Sequence, residues 1–192
     1  MGSAVPGPGK RVRPRIQPIR GKEDLAPEHH DVVDAALKVF GNIRGPFSIL
    51  LHSPDLAERL LPLVPWFREG SVVGHNLRLV GVLAAVREKD SEYVWAAQVR
   101  LARELGVREA AIDVLRAKGD PDSLTAEEHE VVTFTRQLMR TNKVEQPVFD
   151  ALKNRHGVKW LVEFTAAVNY YTVLCGVANA FDVPAIEGGD RY

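Results

Sequence analysis

The sequence predicts an all-α fold, a single-domain bundle of about seven to nine helices. Three observations carry this. Apolar residues recur at helical spacing from Pro27 onward. A T-x-x-E capping box stands at Thr125 and Glu128. No segment shows sustained strand alternation bounded by hairpin turns.

In chain order, Pro27 suits a first helical position, and Val32, Val33, Ala36, Leu37 and Phe40 follow at helical spacing until Gly41. Ser53 is placed to cap a helix with Pro54 at its first position, and Pro62 and Pro65 predict a kink or break near residues 61–65. Apart from Arg78 near its start, the stretch 77–86 is apolar on every side, which marks a buried helix. Asp90 or Ser91 caps the next helix, which runs to Gly106. Residues 108–118 form a shorter one, closed by Gly119. The capping box opens a helix reaching about Thr141, Pro147 starts another that stops at Gly157, and residues 158–181 form a long, mostly apolar last helix.

Residues 1–25 read as an extended, Pro-rich arm with five basic residues between Lys10 and Arg20, and 26–192 as the helical domain. The arm is expected to be a solvated tail or to pack on a neighbouring subunit. Lys plus Arg and Asp plus Glu are both 25, a zero balance that gives no reason to expect nucleic acid or an anionic membrane as partner. One cysteine, Cys175, excludes an intrachain disulfide and fits a reducing compartment. With no apolar core of signal-peptide length at the start, the expected location is the cytoplasm. No pair of His, Asp or Glu has metal-ligand spacing on an inward face and no glycine-rich phosphate loop is present, so neither metal nor cofactor is expected. The apolar helices leave enough hydrophobic surface to predict a homo-oligomer.

Chemistry is sought on the helix of residues 91–105. Ser91, Val94, Gln98, Leu101 and Leu105 are spaced by three and four, so they share one face, and three of the five are apolar. That face points inward with Gln98 at its middle. A buried amide costs roughly 1–3 kcal/mol if unpaired, so Gln98 is either a satisfied core amide or faces an aqueous pocket. His52, beside a helix start, is the candidate for proton transfer, against the plainer alternative of a backbone-bonding histidine. Tyr93, Trp95 and Tyr171 either line a ligand site or pack as core aromatics. The remaining histidines, His29, His30, His129 and His156, read as surface residues, and His75 as a cap-region residue.

The stretches GPFSILLHSPDLAERL (45–60), NLRLVGVLAAVRE (76–88), EYVWAAQVRLARELGV (92–107) and VEFTAAVNYYTVLCGVANAFDVP (162–184) together resemble the carboxymuconolactone decarboxylase superfamily, which includes the alkylhydroperoxidase D-like proteins. The resemblance implies a helical trimer or hexamer with active sites between helices or at subunit boundaries. Residue by residue the family's reactive groups are missing. Its buried helix begins Arg-Glu-Leu, but Leu79 follows Arg78 here. Its peroxidase branch carries C-x-x-C and a His four residues later, where this chain has Ser91, Val94 and Gln98. Its decarboxylase-like branch has Tyr-Glu-Trp and a His three residues later; Tyr93 and Trp95 match, while Val94 and Gln98 replace the other two. Thiol peroxidation, which needs a thiolate and a base, is disfavoured. The resemblance implies a cofactor-free lyase, decarboxylase or isomerase acting on a small organic acid, lactone or cyclic enol. His52 and Gln98 are then expected to be catalytic, with Leu79, Tyr93, Val94, Trp95 and Tyr171 around the substrate. The alternative is a binding or scaffold protein that keeps the fold and oligomer without catalysis.

Overall fold

The fold is all-α. A computed structural model describes residues 13–192. Ten helical segments follow one another, nine of them of five residues or more, and no strand occurs among the described residues. Helix α1 (His30–Phe40) buries Val32, Val33 and Ala36 and is closed by Gly41, whose left-handed backbone (φ 73°) lets its N–H donate to Leu37 at 2.7 Å. Then come α2 (Pro46–Leu50) and α3 (Pro54–Leu60). The expected break follows: α3 stops at Leu60, α4 is the single turn Leu63–Pro65, and a wide π-type turn occupies Trp66–Gly70.

Helix α5 (His75–Glu88) is the centre of the molecule, packed on α6 (Glu92–Glu104), α7 (Glu109–Arg116), α8 (Ala126–Thr141) and α10 (Val158–Ala180), with α9 (Gln146–His156) laid against α8 and α10. Every residue of α5 from Arg78 to Val86 is buried, as an all-apolar helix requires. The one charge among them, Arg78, is 2% exposed; its guanidinium donates to the carbonyls of Phe67 and Arg68 in the π-type turn and to Nδ1 of His75. Arg78 therefore ties the broken segment to the core helix.

The capping box closes in both directions. Thr125 Oγ1 accepts from the Glu128 N–H at 3.3 Å, and Glu128 returns a carboxylate oxygen to the Thr125 N–H at 2.9 Å. Thr125→Ala should cost about 1 kcal/mol, lowering the thermal midpoint by roughly 2–4 °C for a chain of this size. Calorimetry checks this, and an unchanged midpoint would mean the cap contributes nothing.

Two surface expectations are corrected. From Arg13 onward the arm packs on its own chain: Arg15 N–H donates to Phe181, Ile19 N–H donates to Ser48 at 2.8 Å, and the Ile19 side chain is 4% exposed. The first part of the arm, with Lys10 and Arg11, lies outside the described residues. His156 is half-buried and stacks on Trp160 at 4.1 Å. Burial in this stack lowers the imidazole's basicity, and the adjacent Arg155 pairs with Glu130. Helix α10 is long and apolar enough to cross a membrane by composition, but 56% of its most apolar window is buried inside this fold.

Candidate functional site

A cavity of about 670 Å³ lies between α6, α10, the start of α2, the π-type turn and the segment after α10. Its wall on α6 is made by Tyr93, Val94, Ala97, Gln98 and Leu101, and its wall on α10 by Tyr171 and Leu174. Helical spacing creates the first wall: positions 94, 98 and 101 stack one turn above another. Gln98 is 7% exposed, and its side-chain oxygen has no hydrogen-bond partner. The inward face is shorter than the spacing implies. Leu101 is half-buried and Leu105 is 40% exposed, because α6 leaves the core in its last turn.

Of the residues expected around a substrate, Tyr93, Val94, Gln98 and Tyr171 meet on this wall. The close approach of Tyr93 to the chain depends on Gly45, where an added Cβ would come within 2.1 Å of the phenol ring. Three others lie elsewhere. His52 is exposed, and its Nε2 sits 2.8 Å from the Gln17 carbonyl, so the ring donates to the arm and does not line the cavity. A proton-transfer role for His52 does not fit this position. Leu79 is 1% exposed in the core side of α5 and is absent from the cavity wall. Trp95 is fully buried one position off the cavity face, and its indole N–H donates to Asp190 at 3.0 Å. Its neighbour in space, Asp190, reaches the wall instead.

The sequence reading missed the arginines. Arg44, Arg68, Arg100 and Arg103 all line the cavity. Arg100 is paired with Glu104, and Arg103 with Glu109 and Asp190. Neither Arg44 nor Arg68 has a carboxylate partner among the described residues. Arg68 is half-buried, and its Nε is buried with no acceptor. The chain thus encloses a donor and an acceptor, Arg68 Nε and Gln98 Oε1, that nothing in the protein satisfies. Each such atom costs about 1–3 kcal/mol. No periodic pattern pointed to Arg68, because it sits in the turn that Pro62 and Pro65 create.

Electrostatics distinguish the ionisable groups. Burial pushes the Tyr171 phenol above its ordinary range, opposed by Arg68 and Arg78, so it is a neutral donor at physiological pH. Burial also raises Tyr93. Cys175 is fully buried, and its thiol is pushed up to about 12. A thiolate is what attacks disulfides and peroxides. In the folded protein Cys175 should therefore stay unmodified by dithionitrobenzoate at pH 8 and react only on denaturation. Fast stoichiometric labelling of the native protein would contradict its placement. Among the described residues, no cluster of three or more His, Cys, Asp or Glu is arranged to hold a metal ion.

Fold and site together define an all-helical protein with a cavity in which one guanidinium nitrogen, Arg68 Nε, and one amide oxygen, Gln98 Oε1, lack partners. Its architecture is similar to that of the debrominase Bmp8 in its apo crystal structure, with a TM-score of 0.69 over 88% of this chain and 90% of that one, at 15% identity. The likeness is one of fold. No family model matches the sequence, and no curated protein matches it.

Proposed function

We propose that the chain is a diverged carboxymuconolactone decarboxylase-like enzyme, a cofactor-free lyase, decarboxylase or isomerase acting on a small organic acid, lactone or cyclic enol. The observation that carries this is the pair of unsatisfied groups, Arg68 Nε and Gln98 Oε1, on the wall of one 670 Å³ cavity. A cavity of that size suits a small-molecule ligand. A guanidinium without a carboxylate recognises an anion, and planar bidentate pairing favours a carboxylate. The use of a similar fold by an enzyme, the debrominase Bmp8, supports the catalytic reading.

The roles follow from charge. Arg68 holds a carboxylate that does not react, since pairing a departing carboxylate would stabilise the ground state. Tyr171, neutral and buried, donates to the carbonyl oxygen that becomes an enolate when a β-carboxylate leaves as carbon dioxide and the electron pair of the broken carbon–carbon bond passes onto that carbonyl. Gln98 orients the same end through its amide. A panel of small carboxylic acids, with benzoate and its neutral analogue benzamide as reference probes, tests the reading by titration and by NMR detection of turnover. Acids should bind more tightly than their amides, and Tyr171→Phe should lower turnover of a substrate acid by 100-fold or more while leaving binding nearly intact. If no acid binds the wild-type protein at millimolar concentration, the reading is wrong.

The second reading, a binding protein without catalysis, is favoured by one observation. Among the described residues no imidazole lines the cavity, and two of its wall carboxylates, Glu104 and Asp190, are tied up by arginines. Acids that bind but are never converted would select it.

The same reading includes a homo-oligomer, a trimer or hexamer, with no nucleic-acid or membrane partner. Val158 and Val162 are each 62% exposed and Val173 is 47% exposed along one side of α10, an apolar face that another copy would cover. Light scattering at micromolar concentration should return a multiple of 21.3 kDa. The monomer mass would refute association.

A further inference from the structure

The chain beyond α10 turns back across the cavity. Val183 N–H donates to the Ala178 carbonyl at 2.9 Å, which fixes one end of the segment. The other end is fixed by Asp190. Its carboxylate accepts from the Trp95 indole at 3.0 Å and pairs with Arg116 at 3.1 Å and Arg103 at 2.9 Å. Tyr192 then lies edge-on to Trp95, with the Arg87 guanidinium 3.8 Å from its ring centre. Between these anchors, Ile186, Glu187 and Gly188 line the cavity. Among the described residues, positions 184–188 make no side-chain hydrogen bond or ion pair. Their one backbone bond is the local turn from Gly189 N–H to Ile186 at 3.0 Å. The segment is held at both ends and loose in the middle.

We propose that Asp190 is a positioning residue of the candidate site: it latches residues 184–188 across the cavity as a strap, and release of the latch opens the cavity to its ligand. The proposal rests on the cavity being the ligand site, but not on the ligand being an acid. Three donors converge on this one carboxylate, and only one of them is orphaned when it goes. Arg103 keeps Glu109 and Arg116 keeps Asp113, whereas the Trp95 N–H loses its acceptor inside the protein. The wall also fits closely. A Cβ on Gly189 would lie 2.9 Å from Ala96 Cβ and 3.0 Å from the Ile186 carbonyl, so even alanine there lifts the strap off α6 without touching a charge.

A cysteine inside the cavity reads the strap directly. Val94 lines the cavity and is 3% exposed, and Val94→Cys is close in volume. Its alkylation by the neutral reagent iodoacetamide, located by peptide mapping, reports how often the cavity opens. Adding Asp190→Ala or Gly189→Ala should each raise that rate tenfold or more. Hydrogen exchange should rise within 184–192 and stay unchanged in α5. Alkylation within twofold of the Val94→Cys protein in both variants overturns the latch, as does faster alkylation accompanied by exchange spread through α5. Because iodoacetamide is uncharged, this result stands apart from the acid titrations that decide the preceding proposal.

Discussion

Arg68→Leu should remove acid binding and at the same time stabilise the free protein. The guanidinium is the one half-buried cation of the cavity that has no carboxylate among the described residues, and its Nε is buried without an acceptor. A charge-assisted hydrogen bond to a ligand carboxylate contributes about 1.5–3 kcal/mol, so affinity for benzoate-like acids should fall roughly 10- to 100-fold. In the empty protein the same group is a cost. Leucine removes an unsatisfied donor and adds apolar surface against Phe47 and Val64, which share the wall, for a gain of about 1 kcal/mol. Opposite signs for binding and stability are what a functional cation predicts, and a structural one would lower both. Titration with benzoate and thermal unfolding of the ligand-free protein measure the two effects. An affinity equal to wild type, or a fall in stability, would remove Arg68 from the site.

Gly81→Leu should prevent folding, and Gly81→Ala should give a graded loss. Gly81 lies mid-way along the buried α5, where glycine is less favourable than alanine by about 0.5–1 kcal/mol. It is there because Phe164 of α10 is packed against its backbone: a Cβ would sit 2.4 Å from Phe164 Cζ and 3.2 Å from Val168 Cγ1. The ring has no room to yield, being fully buried, stacked on Trp160 at 4.9 Å and set edge-on to Phe134 at 5.8 Å. Overpacking of this kind costs about 1–3 kcal/mol. It outweighs the helix gain, leaving Gly81→Ala destabilised by about 1–2 kcal/mol. Phe164→Leu combined with Gly81→Ala should recover part of that loss, a coupling that a double-mutant cycle reads directly. Additive losses would mean that α5 and α10 do not meet at this point.

Local signals in the sequence place most of the helices to within a few residues. The Thr125–Glu128 box, the glycine at 41 and the prolines at 62 and 65 mark starts, stops and breaks by chemistry confined to a few bonds. The same holds for one wall of the cavity, since positions 94 and 98 share a face wherever a helix forms. His52 and Leu79 show the limit. Family resemblance set both near a substrate, yet one ended on the surface, bonded to the arm, and the other in the packed core. Periodicity separates inside from outside, but it does not separate a packed inside from a hollow one.

The sequence by itself determined an all-helical chain with one reactive-poor inward face centred on Gln98, because helix formation and amphipathic spacing are short-range properties. Only the tertiary structure decided that this face borders a cavity, that Arg68 reaches it from an aperiodic turn, and that Asp190 lines it from 95 positions beyond Trp95. Arg68 and Asp190 come from segments with no period to read. What brings them together is the burial of α5 and α10, a global balance of packing that no local window of sequence contains.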